Sequence, residues 1–206
     1  MSTFLYAMVF TRLGTNALAA SQIVLSLESV FIVASAGLAP AAVAVIGHAL
    51  GIGSLQAAKA NAWLTVRFGL IAAVVLGALY TASGFLLPIL YPKVGQDLLR
   101  QAFWGVLLMG TIQPAKVLSS LLGNGVLASG SDTRFVLAGN LAGTYAIGLP
   151  AAVAFGLLGP FGFFGVFAAK VLEEVVKAMC FFLRFCNMRW YATAIKEERR
   201  SAATRG

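Results

Sequence analysis

Ionisable side chains are scarce in this sequence. Of its 206 residues only 11% are charged, with seven Asp and Glu in total, one histidine and two cysteines. Cys180 and Cys186 stand six apart, neither a metal-ligand spacing nor a pair on one helix face, so they read as small apolar residues. His48 sits in "GHALGIGS" and reads as a polar turn residue rather than a base or ligand. That stretch has glycines but no Gly-Lys-Ser/Thr and no preceding strand, which excludes a phosphate-binding loop and ATP-driven work by this chain. With no metal set and no nucleophile beside a base, enzymatic chemistry is not expected and no cofactor is implied. A basic leader segment is also missing: "FLYAMVF" and the "ALA" at 17 to 19 loosely imitate a signal peptide, but "TRLGTN" interrupts them, so cleavage is not expected.

What the sequence does have is apolar length. Hydrophobic residues make up 60% and the mean hydropathy is +0.89, well above what a soluble core needs. Uncharged runs occupy 29 to 58, 68 to 92 and 135 to 169, with shorter ones at 13 to 27, 101 to 115 and 117 to 131. A bilayer-spanning helix takes about 20 such residues. The composition therefore predicts an all-α polytopic membrane bundle in contact with the lipid bilayer. The net charge of +8 does not point to nucleic acid, because six of the fifteen basic residues lie between Arg184 and Arg205, as in a juxtamembrane cytoplasmic tail.

Glycine, proline and charge clusters divide the chain into a stub at 3 to 10 and helices at 15 to 46, 56 to 90, 95 to 128, 133 to 157 and 162 to 188. Residues 1 to 190 thus form one transmembrane unit and 191 to 206 a basic tail. Pro40, Pro114 and Pro150 fall inside helices and predict kinks. "GNLAG", from Gly139 to Gly143, predicts close approach of two helix backbones. The basic tail, including Arg189, Lys196, Arg199 and Arg200, puts the carboxyl terminus in the cytoplasm, together with the turns holding His48 and Asp132; Trp190 and Tyr191 then mark the interface.

The few charges inside the spans are the functional candidates. Glu28 is the only charged residue between Arg12 and Lys59. It shares a helix face with Ser21 and Ser35 at intervals of seven, either bonded to those hydroxyls for packing or placed on a cation or proton path. Gln113 and Lys116 lie one turn apart beside Pro114, followed by Ser119, Ser120 and Asn124. Lys116 either snorkels or pairs with Glu28 or a carboxylate of the last helix. In "KVLEEVVKA", Lys170, Glu173, Glu174 and Lys177 are spaced so that each cation can meet an anion within its own helix. Arg67 reads as a snorkelling interfacial charge. The expected ion- or substrate-binding set is Glu28, Gln22, Gln113, Lys116, Glu173, Glu174 and Lys177.

Four stretches, taken in order, carry a resemblance: "LGTNALAASQIVLSLES", "GLAPAAVAVIGHALGIGSLQAAKANA", "LASGSDTR" and "FFLRFCNMRW". Together they resemble the carboxyl-terminal half of multidrug and toxic compound extrusion (MATE) transporters. The resemblance implies two six-helix lobes rocking about an axis along the membrane normal, with small organic cations exported against entering protons or sodium ions. On that basis the chain is expected to be one lobe, with its first helix cut to a stub. Its partner is then the missing amino-terminal lobe or a second copy, in a bacterial-type inner (plasma) membrane. His48 stands where the family carries a polar Gln, and acidic positions on the lobe's first helix have no counterpart here. A lipid-linked flippase of the same superfamily and a non-transporting membrane fragment are the alternatives.

Overall fold

A computed structural model of the chain describes residues 2–188 and 190. The expected tail of 191 to 206, and Arg189, lie outside the described residues. Six helical segments follow one another among the described residues up to Cys186: α1, Ser2–Arg12; α2, Thr15–Gly51; α3, Leu55–Leu90; α4, Gln96–Leu127; α5, Thr133–Leu158; and α6, Gly162–Cys186. There is no strand among the described residues. Helices α2 to α5 are each long and apolar enough to cross a membrane. With 25 residues, α6 has spanning length, about 37 Å at 1.5 Å per residue; only its four central charges set it apart.

The bundle is organised around α4, the most enclosed of the long helices. On one side α4 packs against α2 and α3, on the other against α6, which in turn carries α5; α1 closes the gap between α2 and the α5–α6 pair. Outward faces of α2 and α3 expose Val33, Val45, Phe68, Ile71 and Val74. Such rows suit lipid, since a helix satisfies most of its backbone polar groups internally.

The three prolines expected to kink their helices act in three different ways. Pro40 lies in the first turn of the second half of α2, after an interruption at Ala36–Gly37, where a missing N–H costs little. At Pro114, α4 continues as helix, and the ring seats against Gly77 of α3, whose added Cβ would stand 3.2 Å from the proline Cδ. Around Pro150, α5 opens into wide π-type turns at Ala142–Gly148 and Val153–Leu158, which accommodate the lost i→i−4 bond. His48, expected in a turn, instead sits exposed in the last helical turn of α2, with its carbonyl accepting from the Ile52 N–H.

Glycine on α5 makes room of another kind than the expected backbone contact. A Cβ on Gly139 would meet the Phe181 ring, one on Gly143 the Lys177 stem, and one on Gly148 the Glu173 carboxylate and Tyr6 hydroxyl. The small residues are therefore recesses for α6 side chains. Trp190, expected at the interface, is fully buried against Phe185, with ring centroids 6.3 Å apart.

Candidate functional site: a charged layer between two apolar cores

Two separate apolar cores hold the bundle together. The first gathers Phe10, Val24, Tyr80, Val106, Met109 and Phe167; the second gathers Ile46, Ala62, Leu122, Val126, Phe181 and Phe185. Each long helix that contributes to both must cross the level between them. On α2 that crossing holds Glu28, on α4 Gln113, Lys116 and Ser119, and on α6 Lys170, Glu173, Glu174 and Lys177. Sequence order alone thus stacks the charged residues into one layer midway along the bundle, where ionised groups persist only when paired or facing a polar cavity.

The pairing is specific. Glu28, buried on α2, forms a salt bridge with Lys116 of α4. Ser21 and Ser35 take no part, since each hydroxyl donates to a carbonyl of its own helix, Leu18 and Ile32. This excludes the hydroxyl-bonded packing arrangement for Glu28. On α6, Lys177 donates to Glu173 Oε1 at 2.9 Å and to Glu174 Oε1 at 2.7 Å. Glu173 also accepts from Thr144 Oγ1 at 2.6 Å and from the Tyr6 hydroxyl at 2.5 Å, so it has three donors. Ser119 Oγ lies 3.2 Å from Glu174 Oε2 and 3.0 Å from the Lys116 carbonyl, sharing one proton between them.

Lys170 departs from the expected self-neutralising cluster. No carboxylate among the described residues is within ion-pair distance of it; its ammonium stands over the Tyr6 ring, 5.3 Å from the centroid. The reason is directional. Helical side chains lean toward the amino terminus, so a lysine following its glutamates, as Lys177 does, reaches them more readily than one preceding them.

Two cavities open onto this layer. The first, about 240 Å³, is lined by Tyr6, Met109, Lys116, Lys170, Glu173, Glu174 and Lys177. The second, about 160 Å³, shares Lys116, Glu174 and Lys177 and adds Ser119, Asn124 and Asn140. Asn124 and Ser120 in turn line a larger groove of about 590 Å³ beside the α2 interruption at Ala36 and Pro40. Shared lining residues place the three side by side from Tyr6 to Pro40, the two cavities polar-walled and the groove mostly apolar.

Of the seven expected site residues, five converge: Glu28, Lys116, Glu173, Glu174 and Lys177. Gln113 belongs to the layer and is buried with its Oε1 unbonded, but lines none of these cavities. Gln22 is exposed; it lies six residues from Glu28, which turns it to another face of α2. Tyr6, Thr144, Ser119, Lys170 and Asn140 join the site without having been in the expected set. Far from the layer, Arg184 makes a two-point bridge to Asp132, Nε to Oδ2 at 2.7 Å and Nη2 to Oδ1 at 3.1 Å, with its guanidinium 4.6 Å from the Phe135 ring centroid. Arg67 is exposed on α3.

The fold is that of a polytopic helical membrane protein with ionisable residues gathered at mid-depth. The MatE family model matches residues 1–154, and the chain belongs to that family. Multidrug resistance protein MdtK of Yersinia enterocolitica is 26% identical over 191 residues, covering 89% of this chain and 40% of MdtK. MdtK of Yersinia pseudotuberculosis is likewise 26% identical, over 178 residues and 38% of its length. Among solved structures, the eukaryotic MATE transporter AtDTX14 superposes with a TM-score of 0.83 at 18% identity, over 97% of this chain and 45% of that one. A MATE crystal structure in the bent conformation gives 0.81 at 17% identity, over 95% and 42%. The chain therefore spans less than half the length of the relatives it matches, and its family is one of membrane transporters, not enzymes.

Proposed function

We propose that the chain is the carboxyl-terminal lobe of a secondary antiporter that exports organic cations, drugs among them, in exchange for protons or sodium ions. The observation that carries this reading is the mid-depth layer of three carboxylates and three lysines, all but Glu28 lining its polar cavities. A formally neutral layer can hold charge in the membrane and still exchange one cation for another, because an arriving cation and a departing one compete for the same carboxylate.

Glu174 is the carboxylate suited to that exchange. Glu28 is closed by Lys116 and Glu173 by three donors, whereas Glu174 lines both cavities and holds only Lys177 and a long Ser119 contact. Glu28 and Lys116 then form a neutral prop beside it. The relatives' name, multidrug resistance protein, supports drug-like cargo, and their greater length supports a partner lobe, either an amino-terminal half or a second copy, across the open face of these cavities. An inner-membrane location with a cytoplasmic carboxyl terminus completes the reading. The test is reconstitution. Liposomes holding these 206 residues together with the amino-terminal lobe of a MATE relative should extrude a cationic dye along an imposed proton or sodium gradient; Glu174→Gln should abolish it. Gradient-driven extrusion unaffected by Glu174→Gln would refute the assignment.

A further inference from the structure

Away from the charged layer, the helix ends joined by residues 91 to 95 enclose a cavity of another character. Near its end α3 tightens into a 3-10 turn at Gly84–Leu86, just ahead of Pro88. There it touches α4: a Cβ on Gly84 would stand 3.2 Å from the Val106 side chain and 3.4 Å from the Phe103 ring. Beyond this contact a groove of about 490 Å³ opens between the end of α3 and the first two turns of α4, within the roughly 300 to 1,000 Å³ of a ligand pocket. Its walls are mostly apolar, formed by Leu87, Leu99 and the edge-to-face rings of Phe85 and Phe103, whose centroids are 5.4 Å apart. Among the described residues that line it, only Arg100 is charged. No carboxylate among the described residues is within ion-pair distance of that guanidinium. Asp97, on the preceding turn, is not part of the groove wall.

The groove faces the bilayer at the level of its headgroups. Phe85, Leu86, Ile89 and Leu90 are exposed along this end of α3, and so is Trp104, one turn beyond Arg100, as suits an interfacial aromatic. Arg100 lies one turn into α4, so its long side chain can reach the headgroups while the apolar walls continue toward the acyl chains. Lys93, exposed in the connection, adds a second cation at the same end. We propose that this groove binds one anionic phospholipid, its phosphate on Arg100 and an acyl chain laid along Leu87, Leu99 and the Phe85–Phe103 pair. Charge decides the occupant. An organic cation would meet a guanidinium here and no carboxylate, and a phosphocholine lipid brings its own cation to compete with Arg100 for the phosphate. A phosphatidylglycerol headgroup offers its phosphate uncompensated, and a guanidinium can grip it at two points. The Gln96 amide, one turn from Arg100 on the same wall, is a further donor. The site stands apart from the mid-depth layer and does not depend on the antiporter reading.

Native mass spectrometry of the purified, delipidated full chain tests this, with dioleoyl phosphatidylglycerol and dioleoyl phosphatidylcholine titrated separately. The first equivalent of phosphatidylglycerol should bind about fivefold tighter than phosphatidylcholine, the worth of one basic residue at a bilayer surface. Arg100→Gln should bring that ratio close to one and Arg100→Lys should keep part of it. Both replace an exposed side chain, so the chain should stay folded. Arg67→Gln, which removes another exposed arginine of α3, should leave the ratio unchanged. A ratio near one in the unmodified chain, a ratio that survives Arg100→Gln, or one that falls equally with Arg67→Gln overturns the site. Glycerol 3-phosphate displacing the lipid at equal concentration would make it a site for a free phosphate ester, and displacement by tetraphenylphosphonium would make it a cargo site; either result refutes the proposal.

Discussion

Glu28 and Lys116 are 88 residues apart in the chain and meet at mid-depth as a salt bridge between α2 and α4. The Glu28 side chain is almost wholly enclosed and the Lys116 side chain is 26% exposed, so the pair is half sheltered rather than fully buried. Removing one partner strands the other in a poorly hydrated place, whereas removing both does not.

The first prediction follows from that asymmetry. Glu28→Gln and Lys116→Met should each lower the thermal stability of the purified chain, by about 1 to 3 kcal/mol once partial exposure is allowed for. The double variant should be more stable than the sum of the two losses implies. Strictly additive losses in a double-mutant cycle would show that the two side chains are not coupled.

A second prediction concerns the recesses on α5. At Gly148 a methyl group would collide with the Glu173 carboxylate and the Tyr6 hydroxyl, while at Gly47 it meets open space. Gly148→Ala should cost about 1 to 3 kcal/mol, and Gly47→Ala should be neutral or slightly stabilising through helix propensity. Equal melting temperatures for the two variants would contradict the packing described.

Much of this site was legible in the sequence, but in parts. The charges stood out because apolar runs surround them, and the α4 and α6 clusters declared their faces by helical spacing. Tyr6 and Thr144 did not, because a tyrosine or threonine in a membrane helix is unremarkable until tertiary packing brings its hydroxyl to a carboxylate from a distant helix. Lys170 was visible, but its partner was misjudged, since spacing gives reach without direction. Gln22 shows the converse limit: its polarity put it in the expected set, and helix rotation puts it on an exposed face. Trp190 looked interfacial by position, while its burial depends on the turn near Gly130, where an added Cβ would press on its ring.

Orientation supplies a third prediction. The Lys93 connection and the Asp132 turn lie at opposite ends of α4, about 48 Å of helix apart. Asp132 is buried under Arg184, so the exposed Ser131 is the better labelling position. With Cys180 and Cys186 first changed to serine, an impermeant thiol reagent applied outside intact cells should label Lys93→Cys and miss Ser131→Cys. The reverse pattern would place the carboxyl terminus outside.

A fourth prediction tests the clamp at that turn. The Asp132 carboxylate makes no cap to its own helix; it is spent on the forked bridge to Arg184, tying the start of α5 to the end of α6. Arg184→Met should destabilise by about 1 to 3 kcal/mol. Arg184→Lys should recover only part of that, because an ammonium cannot make the two-point contact to Asp132 that the guanidinium makes. Full recovery with lysine, read as melting temperature, would reduce the clamp to simple charge attraction.

Cation exchange at Glu174 is the central claim, and it can be measured without transport. A lipophilic organic cation such as tetraphenylphosphonium, added to the purified chain in weakly buffered detergent solution, should displace the coupling ion as it binds. The account predicts a stoichiometric release of protons, or of bound sodium when the chain is preloaded with it, and loss of that release in Glu174→Gln but not in Gln22→Ala. Saturable binding of the cation with neither ion displaced, or displacement that survives Glu174→Gln, would contradict it.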